Sequence, residues 1–293
     1  MDGTKGNRVI ATTTQPIAFG AAGARRRAQT EPLAVRWTLI ALALGFLGLF
    51  LLVPLALVFV EALANGFGPY FAAIVEPDAI AALKLTLFAA AVAVPANTAF
   101  GLCAGWAIAK FRFRGRSLLT TLVDLPFAVS PVIAGLVFVL LAGRQGLLGP
   151  WLADRDIQIV FAVPGIVLAS IFVSFPFVAR EVIPIMEATG TQEEEAARVL
   201  GASGWQTFVR VTLANIKWGV LYGVILASAR VLGEFGAVSV VSGRIRGVTN
   251  TLPLHVEILY NEYRFQASFA VASILTALAL VTLVLKTLAE RHK

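Results

Sequence analysis

Few side chains of this 293-residue chain could form an active site. The stretch Gly101–Gly105 places Cys103 between glycines with the spacing of a nucleophile elbow, but it lies in an apolar segment with no histidine nearby, which favours helix packing. His255, Glu257 and Glu262 carry metal-ligating groups, yet the whole chain contains only two histidines. No phosphate-binding loop ending in Gly-Lys-Ser/Thr occurs in the sequence. We therefore predict that the chain is not itself an enzyme.

Arg230 and Glu234 are ionisable residues inside an apolar segment, where each ionised side chain costs about 2.5–3.5 kcal/mol. Because they are four positions apart, a helix brings both to one face. Two interpretations remain open. Arg230 either attracts an anion along a translocation pathway or forms an ion pair with Glu234 that holds helices together. We favour the ion pair, because Glu234 cancels much of the attraction for an anion.

A third group of residues interrupts another apolar segment, and its members are Asp124, Pro126, Ser130 and Pro131. Two prolines remove backbone hydrogen bonds and kink or break a helix. Broken membrane helices usually line cavities. We therefore predict that Ser130 and Pro131 border a translocation pathway, although a bend needed only for packing is the alternative.

The composition indicates which elements position these residues. Hydrophobic residues make up 58% of the chain and charged residues 14%, whereas soluble domains have roughly 45–50% and 25%. These values exclude an ordinary soluble enzyme, a disordered chain and a collagen-like fibre. The formal net charge is +7, but the basic residues bracket apolar segments, which indicates a membrane and not nucleic acid. The single cysteine excludes an internal disulfide framework and a thiolate metal cluster.

Six apolar segments are long enough to cross a bilayer as helices, which takes about 20 residues each. The sequence therefore predicts an all-α, polytopic membrane protein with six transmembrane helices over residues 37–293, after a basic, flexible cytoplasmic arm over residues 1–36. The predicted spans are Trp37–Val60, Leu85–Ala109, Leu118–Leu141, Ile159–Val178, Trp218–Val241 and Ala267–Leu288.

Lysine and arginine predict the orientation, because they concentrate on the cytoplasmic side of membrane proteins. The arm, the loop after the second span and the tail are basic, whereas the loop after the first span is acidic. Both termini are therefore predicted to be cytoplasmic. Arg244, Arg246 and Arg264 then lie outside. Their loop either contacts an acidic protein or steers an anionic solute, or it is a solvated loop with an interfacial helix at 254–263.

The longest predicted cytoplasmic segment, residues 180–217, is too polar to cross a bilayer. Thr191–Glu194 and Ser203–Gln206 each have the form of a capping box, which predicts two short helices. Gly201 lies between them, where a left-handed turn favours glycine. We call this helix–turn–helix segment the knob, and we expect it to dock on a partner.

Residues 195–214 resemble the EAA loop of ABC-importer permeases, whose pattern is E-A-A-x3-G-x9-I-x-L-P. Val211 replaces Ile, and Ala214 replaces Pro, which lets the helix continue into the fifth span. The resemblance implies that the knob seats in a groove of a separate ATPase subunit. The coupling residues that it implies are Glu195, Ala196, Ala197, Gly201, Val211 and Leu213.

The resemblance also covers Leu232–Ala237, which is similar to the fifth helix of oxyanion permeases, and residues 242–263, which resemble sulfate/thiosulfate permease subunits of the CysW type. It implies a type I ABC importer permease in the bacterial inner membrane. The implied partners are a homologous second permease, two cytoplasmic ATPase subunits that bind ATP and Mg²⁺, and a periplasmic sulfate-binding protein. No cofactor is expected in this chain. Sulfate or thiosulfate is the implied substrate, and the alternatives are molybdate or tungstate, or a secondary anion transporter.

Overall fold

A computed structural model describes residues 32–290, with side chains as far as residue 288. Most of the predicted basic arm, together with residues 291–293, lies outside this range. The chain divides into two units, Met1–Leu51 and Leu52–Lys293. In the first unit, helix α1 (Leu33–Leu47) is apolar and has no buried residue. The first span therefore begins at Leu33, four residues before the predicted start, and residues 33–36 belong to a helix.

The second unit is helical between its turns, and no strand occurs in the described residues. Two π-helical turns, Gly48–Leu52 and Phe208–Thr212, precede α2 and α11. The helices are α2 (Val53–Ala62), α3 (Phe67–Val75), α4 (Pro77–Lys110), α5 (Arg116–Ala128), α6 (Pro131–Ala142), α7 (Gly149–Ala153), α8 (Val163–Thr189), α9 (Gln192–Val199), α10 (Gly204–Thr207), α11 (Leu213–Leu232), α12 (Gly236–Val241), α13 (Leu252–Asn261) and α14 (Phe265–Glu290).

Six segments of the described chain have the length and apolarity of membrane spans, in the predicted order. Five are continuous helical stretches, and the sixth is the bent pair α5 and α6. The chain bends by 108° between those two helices, because Pro131 cannot continue the hydrogen bonding of α5 and the residues before it are extended. The predicted third span, Leu118–Leu141, is therefore broken at Val129–Ser130. The five continuous stretches are Leu33–Ala62, Pro77–Lys110, Val163–Thr189, Gly204–Leu232 and Phe265–Leu288.

The prediction of a fifth span over Trp218–Val241 is wrong at its end. Helix α11 stops at Leu232, and Gly233, Glu234 and Phe235 form a turn before α12. The carboxylate of Glu234 accepts a hydrogen bond from the backbone N–H of Ala237 (2.8 Å), so it satisfies the start of α12 instead of extending α11. Arg230 is consequently in the last turn of a helix and not midway along a span.

Helix α8 is the centre of the bundle, with α4 and α11 packed against it. The three helices meet at Val178, where a Cβ added to Gly101 of α4 would lie 2.8 Å from the Val178 side chain. A Cβ added to Gly223 of α11 would lie 2.9 Å from Val178 Cα. Because Gly101 and Gly223 have no side chain, α4 and α11 can approach α8 closely, which fits the predicted packing role of Gly101. A buried hydrogen bond from Asn97 Nδ2 to Ser174 Oγ (2.7 Å) also joins α4 to α8.

Candidate functional site

The knob has the predicted helix–turn–helix form, within the predicted cytoplasmic segment 180–217. The first part of that segment belongs to helix α8, which continues to Thr189, so the knob itself begins at Gly190. Helix α9 is followed by Gly201, whose φ is +88°. Glycine adopts this left-handed conformation without steric cost, which explains the residue at the turn. Residues Gly204–Leu232 form one helical stretch, in keeping with Ala214 in place of proline.

One of the two predicted capping boxes is present. Ser203 Oγ accepts from the Gln206 N–H (3.3 Å), and Gln206 Oε1 accepts from the Ser203 N–H (2.9 Å). The box predicted at Thr191 is absent, because Thr191 has a helical backbone and its hydroxyl donates to Glu195 Oε1 (2.7 Å). Glu194, the expected partner of Thr191, instead contacts Lys110.

Exposed apolar side chains form the tip of the knob. Val199 is 87% exposed, Leu200 is 88% exposed and Trp205 is 74% exposed. Motif matching alone did not identify these three residues as part of the site. They could have been found in the sequence, because they are apolar side chains on both sides of Gly201 in an otherwise polar segment. Exposed groups of this kind mark interaction surfaces. The tip is therefore the part of the knob that is suited to docking.

The six predicted coupling residues have two different environments. Glu195, Ala196 and Gly201 are exposed beside the tip, and Ala197 is half-buried. Val211 and Leu213 are partly buried, and Leu213 packs against the core formed by α8 and α11. Glu195, Ala196 and Gly201 are therefore accessible at the surface, whereas Leu213 packs the knob against the bundle.

The base of the knob is attached to the end of α4 by polar contacts that sequence reasoning missed. Lys110 Nζ lies 3.1 Å from Glu194 Oε1 and also donates to the backbone oxygen of Gly190. The Thr212 hydroxyl donates to the same Glu194 oxygen (2.6 Å). In the sequence, Lys110 is one of several basic residues that predict the orientation, and nothing near it in the chain indicates a partner. Its contact with Glu194 is set by the tertiary structure.

A cavity of about 370 Å³ brings together three of the predicted pathway residues, Ser130, Pro131 and Arg230. The break between α5 and α6 supplies one wall, and Val173 and Phe177 of α8 supply another. Residues 130 and 230 are 100 positions apart in the chain, so the fold decides this grouping. A broken span that lines a cavity is the arrangement expected of a transport pathway.

Arg230 and Glu234 form the favoured ion pair at the edge of this cavity. Arg230 Nη1 lies 2.5 Å from Glu234 Oε2, and the side chains are 30% and 2% exposed. Glu234 is thus enclosed, while part of the guanidinium borders the cavity. Because the carboxylate neutralises much of the arginine charge, the cavity wall presents a weak positive site to an anion.

Residues 97–293 match the sequence profile of the family described as "Binding-protein-dependent transport system inner membrane component". The chain belongs to this family. It is 54% identical to the sulfate transport system permease protein CysW of Synechocystis sp. over 258 residues, 88% of this chain and 94% of the relative. It is 39% identical to the sulfate transport system permease protein CysT of Escherichia coli over 241 residues, 82% of this chain and 87% of the relative.

The fold of the permease matches solved transporter structures. One is the crystal structure of a bacterial alginate ABC transporter in complex with alginate pentasaccharide-bound periplasmic protein. The two chains superpose with a TM-score of 0.69 at 20% identity, over 88% of this chain and 94% of that chain. The fold class predicted from the sequence, an all-α bundle of the type I ABC importer permease kind, is confirmed.

The basic residues at the opposite end of the permease are paired with acids. Arg264 lies 2.9 Å from Glu76, Arg244 lies 3.3 Å from Glu257, and Arg246 binds Glu262. The hydrogen bond from Arg264 lowers the pKa of Glu76 below its ordinary value, and the same bond raises the pKa of Arg264. Compensated charges argue against a free basic surface. A helix is present near the expected 254–263 as α13, but its Leu259 is buried against Ala79 of α4 and Val271 of α14, so this helix packs on the bundle instead of lying in a solvated loop.

The alternative of a metal site at His255 finds no support in the part of the chain that the structure describes. His255 is buried, and burial lowers its pKa. Its Nδ1 lies 3.4 Å from the side-chain amide of Asn250. Glu257 and Glu262 bind arginines instead of converging on the imidazole. Among residues 32–288, no group of three potential ligands is arranged to hold a metal.

Proposed function

We propose that this chain is one of two homologous permease subunits of an ATP-driven importer of sulfate and thiosulfate in the inner membrane. The observation that carries the proposal is the knob, with its EAA-type spacing and its exposed apolar tip. The substrate follows from the similarity to sulfate permeases, and the similarity to CysT supports a second, homologous permease. Both termini then face the cytoplasm, and a periplasmic binding protein delivers the anion from outside.

Two cytoplasmic ATPase subunits bind ATP and Mg²⁺, and one of them accepts the knob. Trp205 is suited to anchor this contact, because a large aromatic side chain in a partner's pocket dominates many interfaces. Leu200 and Val199 enlarge the apolar contact, and the exposed Glu195 is available to a basic rim. ATP binding and hydrolysis move the ATPase subunits, and the knob passes that movement to the bundle.

The cavity beside Arg230 forms this subunit's part of the anion pathway. A sulfate dianion that leaves water needs compensation by positive charge or hydrogen-bond donors. Arg230 supplies the charge, while Glu234 keeps the attraction weak enough for release. The bent pair α5 and α6 can change its angle, since the hydrogen bond from Val129 to Leu125 ends α5 and the bond from Ala134 to Ser130 begins α6 on the other side of the break. We infer that opening and closing at this break alternates access to the cavity.

The test is uptake of radiolabelled sulfate into proteoliposomes that contain the complete complex. Uptake is expected to require ATP on the knob side and loaded binding protein on the other, and to be inhibited by excess thiosulfate. Leu200→Glu is expected to abolish uptake and release the ATPase. Leu147→Glu, at a position that is 81% exposed and outside the knob, is the matched control. Uptake that persists without ATPase subunits and follows an ion gradient would refute the proposal.

A further inference from the structure

Lys110 joins three segments of the permease at the base of the knob. It is the last residue of α4, and its ammonium group contacts Gly190 at the end of α8 and Glu194 of α9. Glu194 in turn accepts from Thr212, in the π-helical turn that precedes α11. We propose that Lys110 is a positioning residue that couples the knob to α4, so that movement of the knob moves α4. The inference rests on the proposed function of the knob.

Burial makes this contact suited to transmitting force. The side chains of Lys110 and Glu194 are only 6% and 13% exposed. By comparison, the Arg116–Glu187 pair on the neighbouring face has side chains that are 42% and 45% exposed. An exposed pair exchanges its partner for water at little cost, whereas an enclosed pair resists separation. The Lys110 contact therefore holds the knob against α4, and the Arg116 contact does not.

Helix α4 extends from this contact, past the residue next to Arg230, to the opposite end of the bundle. Ala93 and Val94 pack against Val231, the neighbour of Arg230. Further along, the hydroxyl of Thr86 accepts a hydrogen bond from the N–H of Leu252 (2.8 Å), at the start of α13. Helix α4 runs without a break from Pro77 to Lys110, with Pro95 inside it. A shift at Lys110 is therefore passed along α4 to Val231, the residue next to the cavity-lining Arg230.

A purely structural salt bridge would give a different result from a coupling contact. Loss of a structural contact lowers the amount of folded complex but leaves the sulfate transported per ATP unchanged. Loss of a coupling contact leaves hydrolysis in place and lowers that ratio. The ratio of uptake to hydrolysis is therefore the decisive measurement.

The experiment uses the complete complex in proteoliposomes, with radiolabelled sulfate uptake and phosphate release measured on the same sample. Lys110→Met keeps the aliphatic stem and removes the charge. We expect ATPase subunits to copurify, hydrolysis to stay within about twofold, and sulfate per ATP to fall at least ~5-fold, the lower end of typical coupling effects. Lys110→Arg is expected to restore part of the ratio. Arg116→Met, the exposed counterpart, is expected to keep the wild-type ratio.

A Lys110→Met complex with a wild-type ratio of sulfate to ATP overturns the inference. Failure of the proposed function is distinguishable, because the wild-type complex would then show no ATP-dependent uptake at all. If Lys110→Met does not assemble, Glu194→Gln tests the same contact from the other side, since glutamine keeps an acceptor for Thr212. A lowered ratio in that variant supports the inference, and an unchanged ratio rejects it.

Discussion

The ion pair at the cavity edge allows the two interpretations of Arg230 to be separated by a double-mutant cycle. The variants are Arg230→Met, Glu234→Gln and the combination of both. Methionine keeps a long, flexible side chain without charge, and glutamine keeps the shape of the acid. Glutamine also retains an oxygen that can accept the hydrogen bond from the Ala237 N–H.

The two single variants are expected to differ in stability, because the partners differ in exposure. Arg230→Met leaves the carboxylate of Glu234, 2% exposed, without its counter-ion. Breaking a buried pair lowers the stability by about 3–5 kcal/mol. We expect a value at the lower end of this range, because the carboxylate keeps its hydrogen bond from Ala237. Glu234→Gln leaves the Arg230 cation, which is 30% exposed and can be hydrated, so we expect a loss of stability of about 1 kcal/mol. The double variant should lose less than the sum, with a coupling energy of about 1–2 kcal/mol.

Stability is measured by denaturant unfolding of the detergent-solubilised chain, followed by tryptophan fluorescence. Sulfate uptake is then measured for the double variant, which contains no buried, unpaired charge. If Arg230 serves the anion, loss of about 1.4 kcal/mol of attraction slows uptake about tenfold. If the pair only holds helices together, uptake by the folded double variant stays near the wild-type rate.

Two results would contradict this reasoning. Equal destabilisation by the two single variants would show that the difference in burial does not control the energetics of the pair. Full uptake by the double variant would remove Arg230 from the anion pathway and leave it a structural role.

Three further predictions concern the knob, the bundle and the opposite end of the protein. Gly201→Val forces a β-branched residue to φ +88° and should lower ATP-dependent uptake at least fivefold (~1 kcal/mol of strain or more), as measured in proteoliposomes. Gly223→Ala places a methyl group 2.9 Å from the backbone of α8 and should cost about 1–3 kcal/mol in denaturant unfolding. Arg264 lowers the pKa of Glu76 in the folded state, so their contact stabilises the fold above pH 4.5, and this stabilisation is lost as the pH falls through the lowered pKa. Because Glu76→Gln has no such carboxylate to protonate, its melting temperature should fall less on acidification than that of the wild type.

Gly204→Ala is the control for both glycine substitutions, because nothing lies within 4 Å of an added Cβ and its φ is not positive. Wild-type uptake by Gly201→Val would show that the turn tolerates another geometry. Unchanged stability of Gly223→Ala would mean that α8 and α11 separate at little cost. Parallel melting curves for the wild type and Glu76→Gln from pH 7 to about pH 3 would exclude a contribution of that carboxylate.

Local sequence features predicted most of the fold. The apolar runs predicted six spans because a bilayer requires long apolar helices, and the described chain has five continuous stretches of membrane-spanning length and one bent pair in the predicted order. Gly201 and the Ser203–Gln206 capping box predicted the turn and the second helix of the knob because both act within a few residues of chain. The box at Thr191 failed because the Thr191 hydroxyl donates to Glu195, while Glu194 contacts Lys110, 84 positions away.

The sequence by itself determined the membrane class, the order of the spans and the helix–turn–helix form of the knob, since each depends on composition or short-range spacing. The tertiary structure alone decided that α11 ends at Leu232, that Arg230 borders the same cavity as Ser130, and that Lys110 holds the knob. Each of these outcomes depends on side chains that are distant in the chain, or on a competition between hydrogen bonds that only packing resolves. A residue's type shows what chemistry it can perform, but its partner is set by the helices that pack around it.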